Sequence, residues 1–145
     1  MLLQELERFN ILLELMQQSL LDLQRALVGE IGMSQQLEEL GNCIFNGFVP
    51  PMWLRFAPQS LKSLVNWIEH FERRHNQYRE WIEIDEPKVI WLSGLSIPES
   101  YLTALLQTTC RTRGWPLDKS LLYTEVSKER NPNKITKRLD AGTYI

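Results

Sequence analysis

The residues of this sequence whose types could do chemistry are two histidines, two cysteines, two adjacent carboxylate pairs and one Ser–Gly step. Their spacing argues against each in turn. His70 and His75 lie five residues apart, which on a helix turns them onto different faces, whereas a shared metal needs an i, i+4 pair. His75 falls on an apolar stripe and reads as a satisfied core or interface histidine. Glu38–Glu39 and Asp85–Glu86 sit among polar neighbours, and acid–base work needs a shielded cleft that these surroundings do not announce. Cys43 and Cys110 are the only cysteines, with neither a CxxC pair nor a basic setting that would activate a thiol. They read as buried thiols in a reducing compartment, and a disulfide between them requires Cα atoms within about 7 Å. Ser93–Gly94 lies where a phosphate cradle would need several glycines and a lysine, and Ile97, Pro98 and Glu99 oppose an anion there, by a missing donor and a negative charge. The expected catalytic, cofactor-binding and metal-ligating residues are therefore none.

The elements that would position such residues come next. With 145 residues, 43% apolar and 23% charged, the sequence has the composition of one globular unit with a real core. A formal charge of −2, with both signs interspersed, offers no positive field for nucleic acid or an anionic bilayer. Glu5, Glu7 and Arg8 interrupt the apolar start before a signal-peptide core forms, and no run reaches the ~20 apolar residues of a membrane span. A cytosolic protein is expected.

Leu2, Leu6, Phe9, Leu13, Met16, Leu20, Leu23 and Leu27 recur in steps of four and three, which predicts a long one-faced helix ending near Gly29. Leu3, Ile11, Leu12 and Leu21 widen the stripe, which favours packing against several neighbours over a free coiled coil. Ser34 caps a second predicted helix with Leu37, Leu40, Cys43 and Ile44 on one face, closed by Gly47 and Pro50–Pro51. Trp53, Leu54 and Phe56 then form an irregular wedge over the core. After Ser60, the stripe Leu61, Leu64, Ile68, Phe71, His75, Tyr78 and Ile82 predicts a third helix, with Trp67 and Trp81 on its shoulder.

Downstream, Val89–Leu92 is apolar on both alternations and bounded by Pro87 and Gly94, so it reads as a buried strand. Ser96 and Glu99 have capping-box spacing before a helix that carries Tyr101, Leu102, Leu105, Leu106, Thr109 and Cys110 inward and stops at Gly114. Leu121–Val126 alternates as a second strand, which permits a parallel strand–helix–strand crossover. Ser127–Asp140 reads as an exposed charged loop, and Gly142–Ile145 as the start of a further strand. The expected fold class is mainly α with a minor β component: residues 1–84 helical, 85–127 strand–helix–strand, and 128–145 a loop with the truncated start of a β-rich subdomain.

The segments LLQELERFNILLELMQQSLLDLQRAL (Leu2–Leu27) and MSQQLEELGNCIFNGFVP (Met33–Pro50), with Trp53, resemble the C-terminal region of dynein heavy chains. The likeness continues through Ser60–Leu64, Trp81–Ile82, Val89–Gly94, Tyr101–Thr103, Leu106–Gln107 and Arg111, and so extends over nearly the whole sequence. The family often has a more aromatic stretch after Ser93–Gly94 than the Leu95–Tyr101 found here, which leans toward an axonemal, ciliary heavy chain. The resemblance implies a parent that is a minus-end-directed microtubule motor driven by ATP hydrolysis, with ATP and magnesium bound elsewhere in it. It implies a cytoskeletal place in the cilium axoneme, AAA+ ring modules of the same heavy chain as partners, and microtubules and other dynein chains reached through the parent. The family's nucleotide-binding motifs are absent from this sequence, so the segment itself is expected to be non-catalytic and without cofactor. A helical brace across ring modules is the expected role, against the alternative of a stand-alone adaptor that binds partner helices.

Overall fold

The computed structural model describes all 145 residues, Met1–Ile145. Five helices follow in order: α1 (Leu2–Leu27), α2 (Gln35–Phe45), the single turn α3 (Pro51–Leu54), α4 (Leu64–Glu83) and α5 (Pro98–Arg113). There is no sheet. Residues Leu2–Arg74 form one compact unit, and His75–Ile145 with Met1 another, α4 contributing its first half to the former and its second half to the latter.

In the first unit α1 runs unbroken for 26 residues and ends where Gly29 takes a φ of 81°. Its buried side is Glu5, Phe9, Leu12, Met16, Ser19 and Leu23. The expected stripe is thus right at Phe9, Met16 and Leu23, while Leu13, Leu20 and Leu27 stand exposed in favour of Leu12 and Ser19. The physical reason is that one helical residue step turns a side chain by 100°, so two overlapping four-three rows fit this sequence and only the neighbours choose between them. Those neighbours are aromatic. Phe9 stacks on Phe71 with centroids 4.9 Å apart, Phe71 on Trp67 at 5.8 Å, and Trp67 on Trp53 at 6.0 Å. Leu40 of α2 is fully buried in the same cluster.

Helix α2 starts as its cap predicts, with Leu37 N–H donating to Ser34 Oγ over 3.3 Å. It ends at Asn46, followed by Gly47 at φ 74°. The proline pair seeds the short α3, which sinks Trp53 into the core and leaves Phe56 half outside. Helix α4 begins at Leu64, three residues later than its stripe suggests, and Leu61 is wholly exposed. Leu64 N–H instead donates to Gly47 O over 2.9 Å, which ties the α4 start to the end of α2. His75 and Ile82, expected on the inner stripe, are exposed, and Arg74 and Gln77 are buried instead.

In the second unit the strand–helix–strand expectation fails. Ile90 is fully buried as expected, yet its backbone makes no ladder: Val89 bridges Tyr144 alone, in parallel, through Ile90 N–H to Tyr144 O at 2.9 Å. The next residue is paired by a side chain, since Gln77 Oε1 accepts from Trp91 N–H at 2.7 Å and Gln77 Nε2 donates to Trp91 O at 3.4 Å. A carboxamide reproduces what a neighbouring strand would supply, and the backbone then turns into a 3₁₀ segment at Leu92–Gly94. Leu121–Val126 forms no strand; it has no sheet to join, and Val126 is 97% exposed. Helix α5 opens on Pro98 with Ile97 at the N-cap and no side-chain cap bond, so the Ser96–Glu99 capping box does not form. Its end is as expected, with Gly114 left-handed at φ 67°.

Candidate interaction surfaces

The residues singled out for chemistry remain apart. No three His, Cys, Asp or Glu side chains converge. Cys43 is half-buried and Cys110 buried, and both are free thiols. His70 is pushed below the ordinary histidine range, by its slight burial first and then by the cations Lys62, Arg73 and Arg74, with Glu69 opposing. Gly94 serves packing, since a Cβ there would overlap the indole of Trp91.

Asp85–Glu86 is the exception, because the pair anchors a polar clasp. Glu86 N–H donates to Asp85 Oδ1 over 2.7 Å, and Arg138 lies 3.2 Å from Asp85 Oδ2. The backbone bond and then Arg138 hold the Asp85 carboxyl below the usual range. Arg138 also donates to Glu86 O, and Tyr101 donates its hydroxyl proton to Glu86 Oε1 over 2.7 Å. Trp81 packs edge-on against Tyr101 at 5.8 Å. Burial, above all, raises the Tyr101 hydroxyl well past its ordinary pKa, helped by the Glu86 carboxylate and opposed by Thr143 and Arg138. Arg113 closes the clasp on Asp140 O at 2.7 Å. This is an arrangement for holding one stretch of backbone to another, with both carboxylates already engaged by donors. Gln77 and Arg138 gave no signal in the sequence, because a single polar residue in a polar stretch carries no periodicity.

Surfaces rather than pockets are what the fold leaves open. On α1 the residues Leu13, Leu20 and Leu27, each two turns from the next, share one flank beside the buried row and are 41%, 40% and 71% exposed. Leu3, Leu21 and Val28 are exposed further round the helix. Such a continuous apolar edge on a folded domain marks a contact surface. No helix is long and apolar enough to cross a membrane.

A helical domain that engages its reactive groups in packing and leaves an apolar helix edge uncovered is, as a class, an interaction domain. The protein belongs to the family of the C-terminal domain of dynein heavy chains, whose model it matches over residues 1–145. It is 53% identical over 144 residues to dynein axonemal heavy chain 10 of Homo sapiens, an alignment that takes in 99% of this chain and 3% of that protein. To the dynein-1-alpha heavy chain of the flagellar inner arm I1 complex of Chlamydomonas reinhardtii it is 55% identical, again over 99% of this chain and 3% of that one. To the dynein beta chain of the flagellar outer arm of the same alga it is 41% identical, over 98% and 3%. The chain thus spans a small fraction of the length of these relatives.

Proposed function

We propose that this segment is a non-catalytic brace within an axonemal dynein heavy chain, its α1 flank packed on AAA+ ring modules of the same polypeptide. The parent would be an ATP-driven, minus-end-directed microtubule motor that bends cilia or flagella, with ATP and magnesium held by the ring and not by this segment. The observation that carries the reading is the row Leu13, Leu20 and Leu27 on a helix whose opposite side is already buried against Phe71, Trp67 and Trp53. Burying a leucine contributes about 1.5–3 kcal/mol, so one such row resists the strain of a power stroke in a way a flexible linker does not. Leu121–Val126, exposed and without backbone hydrogen bonds, supports a second part of the reading, that residues outside this segment complete a β-rich part here.

The experiment is Leu20→Asp with Leu27→Asp, made both in this domain and in the full heavy chain. Because both positions are solvent-facing in the domain, its thermal stability should shift by no more than about 0.5 kcal/mol. The motor should lose microtubule gliding while retaining basal ATP turnover. Gliding at the unaltered speed would reject the brace.

A further inference from the structure

The outward side of α2 carries chemistry that the packing of the domain leaves unused. Leu37, Leu40 and Ile44 face the core, so Gln35, Glu38, Asn42 and Phe45 ride on the opposite side of this 11-residue helix. Phe45 is 90% exposed and Phe48, just past the helix, is 66% exposed. Glu38, Glu39, Asn42, Asn46 and Phe48 contribute to a shallow hollow of about 430 Å³ along that side. From Ala26 to Leu54 the sequence has three carboxylates, Glu30, Glu38 and Glu39, and neither lysine nor arginine. Glu30 is paired with Arg25 at 3.4 Å, whereas Glu38 and Glu39 have no cationic partner.

Two exposed phenylalanines beside two uncompensated carboxylates define the occupant by complementarity. Aromatic side chains anchor interfaces, and flanking charges select the sign of the partner. We propose that this face docks a basic amphipathic helix of a separate polypeptide, with apolar residues against Phe45 and Phe48 and lysine or arginine side chains on Glu38 and Glu39. A second copy of this chain is disfavoured as occupant, because a two-fold contact would set the acidic face against itself. The docking face lies on α2 and does not depend on the α1 brace.

The full 145-residue protein would be titrated into a labelled helical peptide of leucine and lysine with all its leucines on one side. A peptide of the same composition with its leucines scattered around the helix serves as control. The expected result is saturable, salt-sensitive binding of the amphipathic peptide and at least about tenfold weaker binding of the control. Phe45→Ser with Phe48→Ser, and separately Glu38→Gln with Glu39→Gln, should each weaken binding about tenfold while circular dichroism reports an unaltered fold. Equal affinity for the two peptides, or affinity indifferent to the phenylalanine pair, would overturn the proposal. A photo-cross-linking phenylalanine analogue at position 45 of the assembled dynein then reads the source. A cross-link to an identified lysine- or arginine-rich helix of another polypeptide supports it. A cross-link within the same heavy chain, to a second copy of this chain, or to nothing overturns it.

Discussion

The indole N–H of Trp53 donates to Ser19 Oγ over 3.0 Å, and the same hydroxyl donates to Met16 O at 3.1 Å. A serine in the middle of a leucine-rich helix is thereby the hinge of the first unit's core, since it lets an indole lie 2% exposed against α1 without an orphaned donor. Ser19→Ala should destabilise the domain by about 1–3 kcal/mol, the cost of leaving the buried N–H unpaired. Trp53→Phe removes the donor as well as part of the ring, so the double variant should be less destabilised than the sum of the singles. A double-mutant cycle from denaturant melts checks this; strict additivity would mean the bond contributes nothing.

Gln77 acts on the backbone of Trp91 as a strand would, through bonds of 2.7 and 3.4 Å. Gln77→Ala should cost about 1–3 kcal/mol, because the Trp91 N–H and C=O lose the partner that covers them. The effect should be local to the second unit. Hydrogen exchange at the Trp91 and Ile90 amides should rise while exchange at Leu12 and Met16 stays protected. Unaltered protection at Trp91 would show that water replaces the carboxamide without penalty.

Tyr101 has a hydroxyl whose pKa is raised in the fold above the ordinary value of 10.0, chiefly by burial. The folded state therefore holds its proton more tightly than the unfolded state does. The stability this contributes is complete below about pH 10 and is lost as pH rises beyond that, when the unfolded tyrosine ionises and the folded one resists. Tyr101→Phe should lose the bond to Glu86 and be less stable at neutral pH, and should show a shallower fall of the denaturation midpoint between about pH 9 and 11. Parallel slopes for the two proteins would mean that Tyr101 ionises as freely in the fold as out of it.

Helices α2 and α5 end where their glycines stand because helix ends are decided by local chemistry. Ser34 supplies an acceptor to a free backbone N–H, and Gly47 and Gly114 take positive φ without a Cβ penalty. The family was legible for a related reason, since it lies in the order of residues along the sequence: the segments from Leu2 to Arg111 resemble dynein, and the family match spans them all. The separation of His70 from His75 was legible too, because both stand on α4 and five helical steps turn them to different sides whatever packs nearby. The two interaction faces were not legible as faces.

By itself, then, the sequence determined that α1, α2, α4 and α5 form, where most of their ends fall, and to which family the protein belongs, because each rests on neighbours within a turn or on residue order. Tertiary structure alone decided which side of α1 turns inward. Leu12 and Leu13, or Ser19 and Leu20, are equally helical, and the choice comes from Trp53 bonding to Ser19 and from Phe71 stacking on Phe9. It also decided that Val89–Leu92 is no strand. A strand is defined by the backbone that faces it, and here Gln77 on Trp91 and Tyr144 on Ile90, both remote in sequence, stand in for a sheet. Apolar alternation reports a residue's readiness to be covered, whereas the partner that covers it is a fact of three dimensions.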